Sequence, residues 1–180
     1  MTSFLQAIIN RIYTQSPSEL MCLSIYFGLL FNFLQHRFAQ RYRWCLCCGI
    51  FLGGWVCAVL WITVFSRQPG SISQVHWLPL STYWRFMAGE NSELMRSSFM
   101  NMLLFFPGGL FYAGLTAPKS QSSRAIITLL LIFGLFSFGI ELTQGLLELG
   151  TAEADDVLHN LLGAAAGFAI FQVDMKSKNE

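Results

Sequence analysis

The residues best suited to chemistry are polar and acidic side chains that lie inside or beside long apolar segments. Glu141 and Gln144 are three residues apart, and Asp156 and Asn160 are four apart, so each pair shares one face of a helix. Asn101 lies in a third apolar segment. Because an ionisable group is costly in such a segment, Glu141 is the clearest indication of a functional site. The alternative is a structural carboxyl group that Gln144 or Asn101 satisfies.

Further acidic residues surround the start of the last apolar segment. Asp155 and Asp156 precede it, where they are expected to cap a helix and complement its dipole. With Glu141 and Glu153 they could also bind a divalent cation, although their spacing matches no calcium loop. His159 is a candidate base, or else a packing residue. The sequence has no nucleophile-elbow, zinc-protease or phosphate-loop motif, so it indicates no other cofactor and no recognisable catalytic set.

The composition indicates which kind of protein carries these residues. Of 180 residues, 54% are hydrophobic and only 12% are charged, whereas a soluble domain carries about 25% charged residues. The formal net charge of +1 provides no basic field that would attract nucleic acid. These features predict an integral membrane protein that contacts membrane lipids.

The apolar runs predict an all-α membrane helical bundle. Since a membrane-spanning helix needs about 20 apolar residues, we expect about five spans, of which the first and last are short. They cover residues 20–36, 44–66, 97–117, 125–149 and 157–173. Residues 1–19 are expected to form an interfacial helix, 67–96 an extracellular loop and 174–180 a cytoplasmic tail. The whole chain is expected to be a single domain.

The distribution of basic residues predicts the orientation in the membrane. One side receives Arg37, Arg41, Arg43, Lys119, Arg124, Lys176 and Lys178. The other receives only Arg11, Arg67, Arg85 and Arg96. The positive-inside rule therefore places the N-terminus outside and the C-terminus inside. At about 1.5 Å per helical residue, the polar residues of the last three spans then converge in the outer third of the membrane.

Four motifs within residues 74–171 give the chain a family resemblance. They are His76-Trp77-Leu78-Pro79-Leu80, Asn101-x-x-Leu104-Phe105-x-Pro107-x-Gly109, Ser137-x-x-Ile140-Glu141-x-x-Gln144 and Asp155-Asp156-Val157-Leu158-His159-Asn160 followed by Gly163. In order and spacing they resemble the VanZ-like family of membrane proteins. The resemblance implies a bacterial plasma membrane, and the family is named for a member associated with low-level resistance to teicoplanin. Many members carry an Arg shortly before the acidic pair, where this sequence has Thr151.

Three functional hypotheses follow. In the first, an outward-facing polar site formed by Asn101, Glu141, Gln144, Asp155, Asp156 and Asn160 alters how the cell envelope interacts with lipoglycopeptides, without catalysis. In the second, an intramembrane enzyme acts on a lipid-linked envelope precursor, with Glu141 as acid or base and Asp155, Asp156 or His159 assisting. In the third, the polar residues only tie helices together. Gly163 and Gly167 favour close helix packing, either within the chain or between copies in a homo-oligomer.

Overall fold

The computed structural model of the chain describes residues 41–70, 75–89, 93–116 and 123–177. The described elements, in chain order, are α1 (Arg41–Leu60), which continues as a π-helical turn (Trp61–Phe65), β1 (Val75–His76), α2 (Ser81–Met87), α3 (Glu93–Thr116), α4 (Ser123–Leu146), β2 (Ala152–Glu153) and α5 (Ala154–Ser177). The predicted all-α class is confirmed, because β1 and β2 form only a two-residue parallel pair.

Four of the described helices are long and apolar enough to cross a membrane. They are Trp44–Phe65, Leu94–Thr116, Arg124–Leu146 and Ala154–Val173, and they correspond to the second to fifth predicted spans. The predicted first span, residues 20–36, and the predicted interfacial helix, residues 1–19, lie outside the described residues. The chain is thus a multi-pass helical membrane bundle.

The ends of the spans differ from the predicted ones. α4 ends at Leu146 instead of residue 149, because Glu148 (φ 52°) and Gly150 (φ 131°) adopt left-handed conformations that end a helix. α5 begins at Ala154, so the last span has 20 residues and is not short. α3 begins at Glu93, which places Asn101 about two turns into the helix rather than one.

The closest helix packing is between α3 and α5, and glycine makes it possible. A Cβ added at Gly163 would overlap the carbonyl oxygen of Met102, and one added at Gly167 would overlap that of Phe106. In the reverse direction, a Cβ at Gly109 would overlap the carbonyl oxygen of Ala164. The Gly163/Gly167 face is therefore buried inside the chain. Of the two predicted roles of this face, packing within the chain or between copies, the structure shows the packing within the chain.

An aromatic core fixes α1 against α3 and α4. The indole of Trp55 donates a hydrogen bond of 2.8 Å to the carbonyl oxygen of Leu104 in α3. Its ring lies 5.3 Å from that of Phe105 and 5.4 Å from that of Phe133 in α4, measured between centroids. The outer surface of α4 instead exposes large aliphatic side chains such as Leu131 and Leu135. This arrangement suits a bundle whose surroundings are hydrocarbon.

Candidate functional site

Two connections meet at one end of the bundle, which we call the loop end: the described residues 66–70 and 75–89 between α1 and α3, and residues 147–153 between α4 and α5. The amide of Gly70 donates a hydrogen bond of 3.2 Å to the carbonyl oxygen of Glu148. The β1–β2 pair joins Val75 to Ala152. The sequence places these connections on the same side of the membrane, and the structure brings them into direct contact.

Glu141 lies in the last turns of α4, below this strand pair. Its side chain is only 3% exposed. One carboxyl oxygen accepts a hydrogen bond of 3.0 Å from the backbone amide of Glu153 in β2. The carboxyl group also interacts electrostatically with Asp156 and with Arg67. β2 therefore holds Glu141 in place, and its carboxyl group faces other charged groups.

Asp156, in the first turn of α5, completes what we call the carboxylate pair, Glu141 and Asp156. The side chain of Asn101 and the charge of Arg67 both act on the Asp156 carboxylate. Asp156 is partly exposed, unlike Glu141. Three of the predicted site residues are thus brought together: Asn101 of α3 and the carboxylate pair of α4 and α5.

Arg67 is the residue at this site that the sequence did not assign to it. It follows the π-helical turn, and its guanidinium donates a hydrogen bond of 3.3 Å to the carbonyl oxygen of Leu149. The same guanidinium nitrogen lies 3.0 Å from the position of a Cβ at Gly150. A cation from α1 therefore lies beside the residues just before the acidic pair, close to Thr151. In the sequence, Arg67 is the first charged residue after a predicted span, and it lies at the membrane depth of the polar motifs. This position could have assigned Arg67 to the site.

Asp155 does not share this arrangement. Its two carboxyl oxygens accept hydrogen bonds from the amide of Leu80, from the amide of Thr82 at 2.8 Å and from the hydroxyl of Ser81 at 3.3 Å. Asp155 thus caps the start of α2. The prediction that it caps a helix is correct, but the prediction that this helix is its own, α5, is wrong. Neighbouring helical residues are turned by about 100°, which directs Asp155 away from the carboxylate pair.

Gln144 and Asn160 bond to other partners. The amide of Gln144 donates a hydrogen bond of 3.0 Å to the carbonyl oxygen of Thr63, in the π-helical turn of α1. The amide of Asn160 donates one of 2.8 Å to the hydroxyl of Ser137, one turn below Glu141 in α4. Both side chains are buried. Gln144 thus adds a polar contact between α4 and α1, and Asn160 adds one between α5 and α4.

His159, the candidate base, lies on the Asp155 side of α5. Its Nε2 is 2.8 Å from the hydroxyl oxygen of Tyr83 in α2. The ring is 1% exposed. Its hydrogen bond with Tyr83 directs His159 away from Glu141, so a proton relay through all three candidate residues is not built into this arrangement.

The acidic side chains do not converge on one point. Both Glu153 oxygens are engaged: one with Arg85 at 3.3 Å, the other with the Thr82 hydroxyl at 3.2 Å. Over the part of the chain that the structure describes, no group of three or more His, Cys, Asp or Glu side chains is positioned to hold a metal ion. The hypothetical cation site of Glu141, Asp155 and Asp156 is therefore not assembled, because Asp155 is held by α2.

The family assignment rests on a match along most of the chain. The VanZ/LLP1 family model matches residues 51–174. The chain belongs to the VanZ/LLP1 family. The predicted resemblance is thus confirmed, and the match begins within α1, earlier than the motifs at residues 74–171 indicated. The VanZ/LLP1 region includes Arg67 together with Asn101 and the carboxylate pair. No curated protein and no solved structure matches this chain.

Proposed function

We propose that this VanZ/LLP1 protein binds the polar head of an amphiphilic envelope molecule at the carboxylate pair and thereby alters tolerance to lipoglycopeptides such as teicoplanin. The observation that supports this is the meeting of Glu141, Asp156, Asn101 and Arg67 at one end of a membrane bundle. The group offers anionic acceptors, an amide and a guanidinium, and the guanidinium and the amide act on the carboxylates. A polar head with hydroxyl, ammonium and anionic groups complements such a set.

The second part of the proposal concerns location. We infer a bacterial plasma membrane with the loop end outside, since the loop end carries fewer Lys and Arg residues than the opposite side. In that orientation the carboxylate pair lies toward the cell-wall side, and Asp156 is its partly exposed member. An amphiphile would then place its polar head at the pair and its acyl chain in the surrounding lipid.

The test is tolerance in a susceptible host that expresses either Glu141→Gln or Asp156→Asn. Each change removes a negative charge at nearly constant shape, and each is expected to reduce teicoplanin tolerance without lowering the amount of membrane-inserted protein. Glu148→Gln is the matched control, because it neutralises an exposed carboxylate in the turn after α4. Unchanged tolerance in both site variants would exclude the pair from the mechanism.

The same variants test the structural alternative. Interhelical hydrogen bonds in membranes contribute on average about 0.6 kcal/mol and at most about 1.7 kcal/mol. If Glu141→Gln lowers the free energy of unfolding in detergent by such an amount and leaves teicoplanin tolerance intact, the carboxylate pair has only the structural role of joining helices.

An enzymatic role is the alternative, and it would depend on the closeness of the two carboxyl groups of the pair. Glu141 is buried next to a second carboxyl group, and adjacent carboxyl groups can share and transfer a proton. Purified protein would be assayed on lipid-linked envelope precursors, with and without EDTA. Turnover that Glu141→Ala abolishes would favour an enzyme, and loss of that turnover in EDTA would add a metal to it. No turnover on these precursors would favour the binding role.

A further inference from the structure

A groove lies on the opposite side of α5 from the carboxylate pair, between α2, α4 and α5. It has a volume of about 260 Å³. Its wall is aliphatic except for Tyr83 and His159; the aliphatic members are Leu80, Leu130, Leu158, Leu161, Leu162 and Ala165. Since a dry apolar cavity of about 150 Å³ holds a benzene molecule, the groove can accommodate a longer hydrocarbon segment.

The groove runs along the axis of α5, and several of its leucines are exposed on membrane-spanning helices. From Leu158 to Ala165 it follows α5 for about 10 Å, at about 1.5 Å per residue. Leu158, Leu162 and Leu130 are 42%, 56% and 41% exposed, respectively, and all three belong to membrane-spanning helices. A narrow, lengthwise groove among lipid-facing leucines has the shape and polarity of a binding site for one acyl chain.

The polar atoms lie at the shallow end of the groove. His159 is five residues from the start of α5, about 7.5 Å along the helix axis. With the start of α5 placed at the outer surface of the head groups, this is the depth of the boundary between head groups and hydrocarbon, because a bilayer of about 40–45 Å has a core of about 30 Å. At this depth a glycerolipid carries its ester linkages.

One polar atom of His159 is unsatisfied. Nδ1 of His159 is buried and has no hydrogen-bond partner among the described residues. The hydroxyl of Tyr83 bonds to the other ring nitrogen, and when it donates that bond the ring proton resides on Nδ1. A buried N–H without an acceptor is costly, and the carbonyl of an ester would supply the acceptor.

We propose that this groove binds one acyl chain of a membrane glycerolipid, with the ester carbonyl of that chain accepting a hydrogen bond from Nδ1 of His159. The site is separate from the carboxylate pair and does not depend on its function. The occupant is an ester-linked diacyl lipid.

The experiment uses the full-length protein in vesicles of phosphatidylethanolamine and phosphatidylglycerol that carry a trace of phosphatidylcholine with a diazirine on one acyl chain. After irradiation, the labelled residues are mapped by mass spectrometry. We expect labelling to concentrate at residues 158–165, several-fold above Leu131 and Leu135, which face lipid outside the groove. Equal labelling of the groove and of these two leucines would overturn the proposal.

Two comparisons test the details. Ala165→Phe fills the groove and should abolish the concentrated labelling, whereas Ala166→Phe, at an exposed position, should not. The bulk lipid of the vesicles competes with the probe, so labelling should be about 3- to 16-fold stronger in vesicles of diether lipids, which lack the carbonyl, than in vesicles of diester lipids. Equal loss in both variants would refute the groove, and equal competition by both lipids would refute the bond to His159. Neither readout depends on teicoplanin tolerance, so this proposal and the proposed function can fail independently.

Discussion

Replacing Gly163 by alanine tests the packing on which the site depends. The added methyl group would overlap the carbonyl oxygen of Met102 and would lie 2.8 Å from its carbonyl carbon and its Cα. These are backbone atoms of α3, which cannot rotate away as a flexible side chain can. The neighbouring Asn101, whose side chain acts on Asp156, belongs to the same turn of α3.

The magnitude follows from the size of the overlap. Restoring ordinary contact with the carbonyl carbon requires a shift from 2.8 Å to at least 3.4 Å, about 0.6 Å, and the carbonyl oxygen requires more. Overpacking of this kind costs about 1–3 kcal/mol, and the upper part of that range applies because both helices must move as units. The shift would also move Asn101 relative to Asp156.

Thermal unfolding in detergent, followed by circular dichroism, measures this effect. We expect Gly163→Ala to lower the Tm by an amount on the order of 5 °C. Gly139→Ala in α4 is the matched control, since a Cβ there meets no atom within 4 Å. It should leave the Tm unchanged or raise it slightly, because alanine favours a helix over glycine by about 0.5–1 kcal/mol.

Two results would refute this reasoning. If Gly163→Ala behaves like Gly139→Ala, α3 and α5 do not approach as closely as described. If the Tm loss grows or shrinks with protein concentration, the glycine face packs between copies of the chain. A loss that is independent of concentration would establish the contact as intramolecular.

Three further predictions concern single contacts and the orientation. Asp155→Ala removes the acceptor for the Leu80 and Thr82 amides; hydrogen exchange of α2 should accelerate while that of α3 stays constant, and unchanged exchange of α2 would contradict the capping role. Gln144→Leu removes the donor to the Thr63 carbonyl and should lower the free energy of unfolding by about 0.6–1.7 kcal/mol. Detergent denaturation measures this loss, and its absence would show that another donor replaces Gln144. An alkaline phosphatase fusion in the loop at residues 67–96 should be active and a green fluorescent protein at the C-terminus fluorescent, whereas the opposite pair of signals would invert the topology.

The positions of the described spans were predictable because the rule behind them is one-dimensional. A bilayer demands about 20 consecutive apolar residues, and residues 44–66, 97–117, 125–149 and 157–173 satisfy it wherever they lie in space. The ends were less predictable, since they depend on local backbone geometry. The left-handed residues Glu148 and Gly150 end α4 early, and neither residue type by itself requires that conformation.

The sequence also identified the site residues by type, since a polar or acidic side chain inside or beside an apolar run is conspicuous without any structure. Glu141, Asp156 and Asn101 were singled out in this way, and the fold brings them together. Their membership in a shared functional site remains a prediction until the variants are measured.

Only the tertiary structure decided which neighbours these residues meet. Asp155 and Asp156 are adjacent in sequence, yet one caps α2 and the other faces Asn101, because consecutive helical residues point about 100° apart. Arg67 joins the pair from a helix that carries no polar motif, and Gln144 turns to a carbonyl in α1. Such choices depend on the rotation and relative height of packed helices. These are set by contacts between residues far apart in the chain, as at Gly163 and Met102, which span length and composition do not specify.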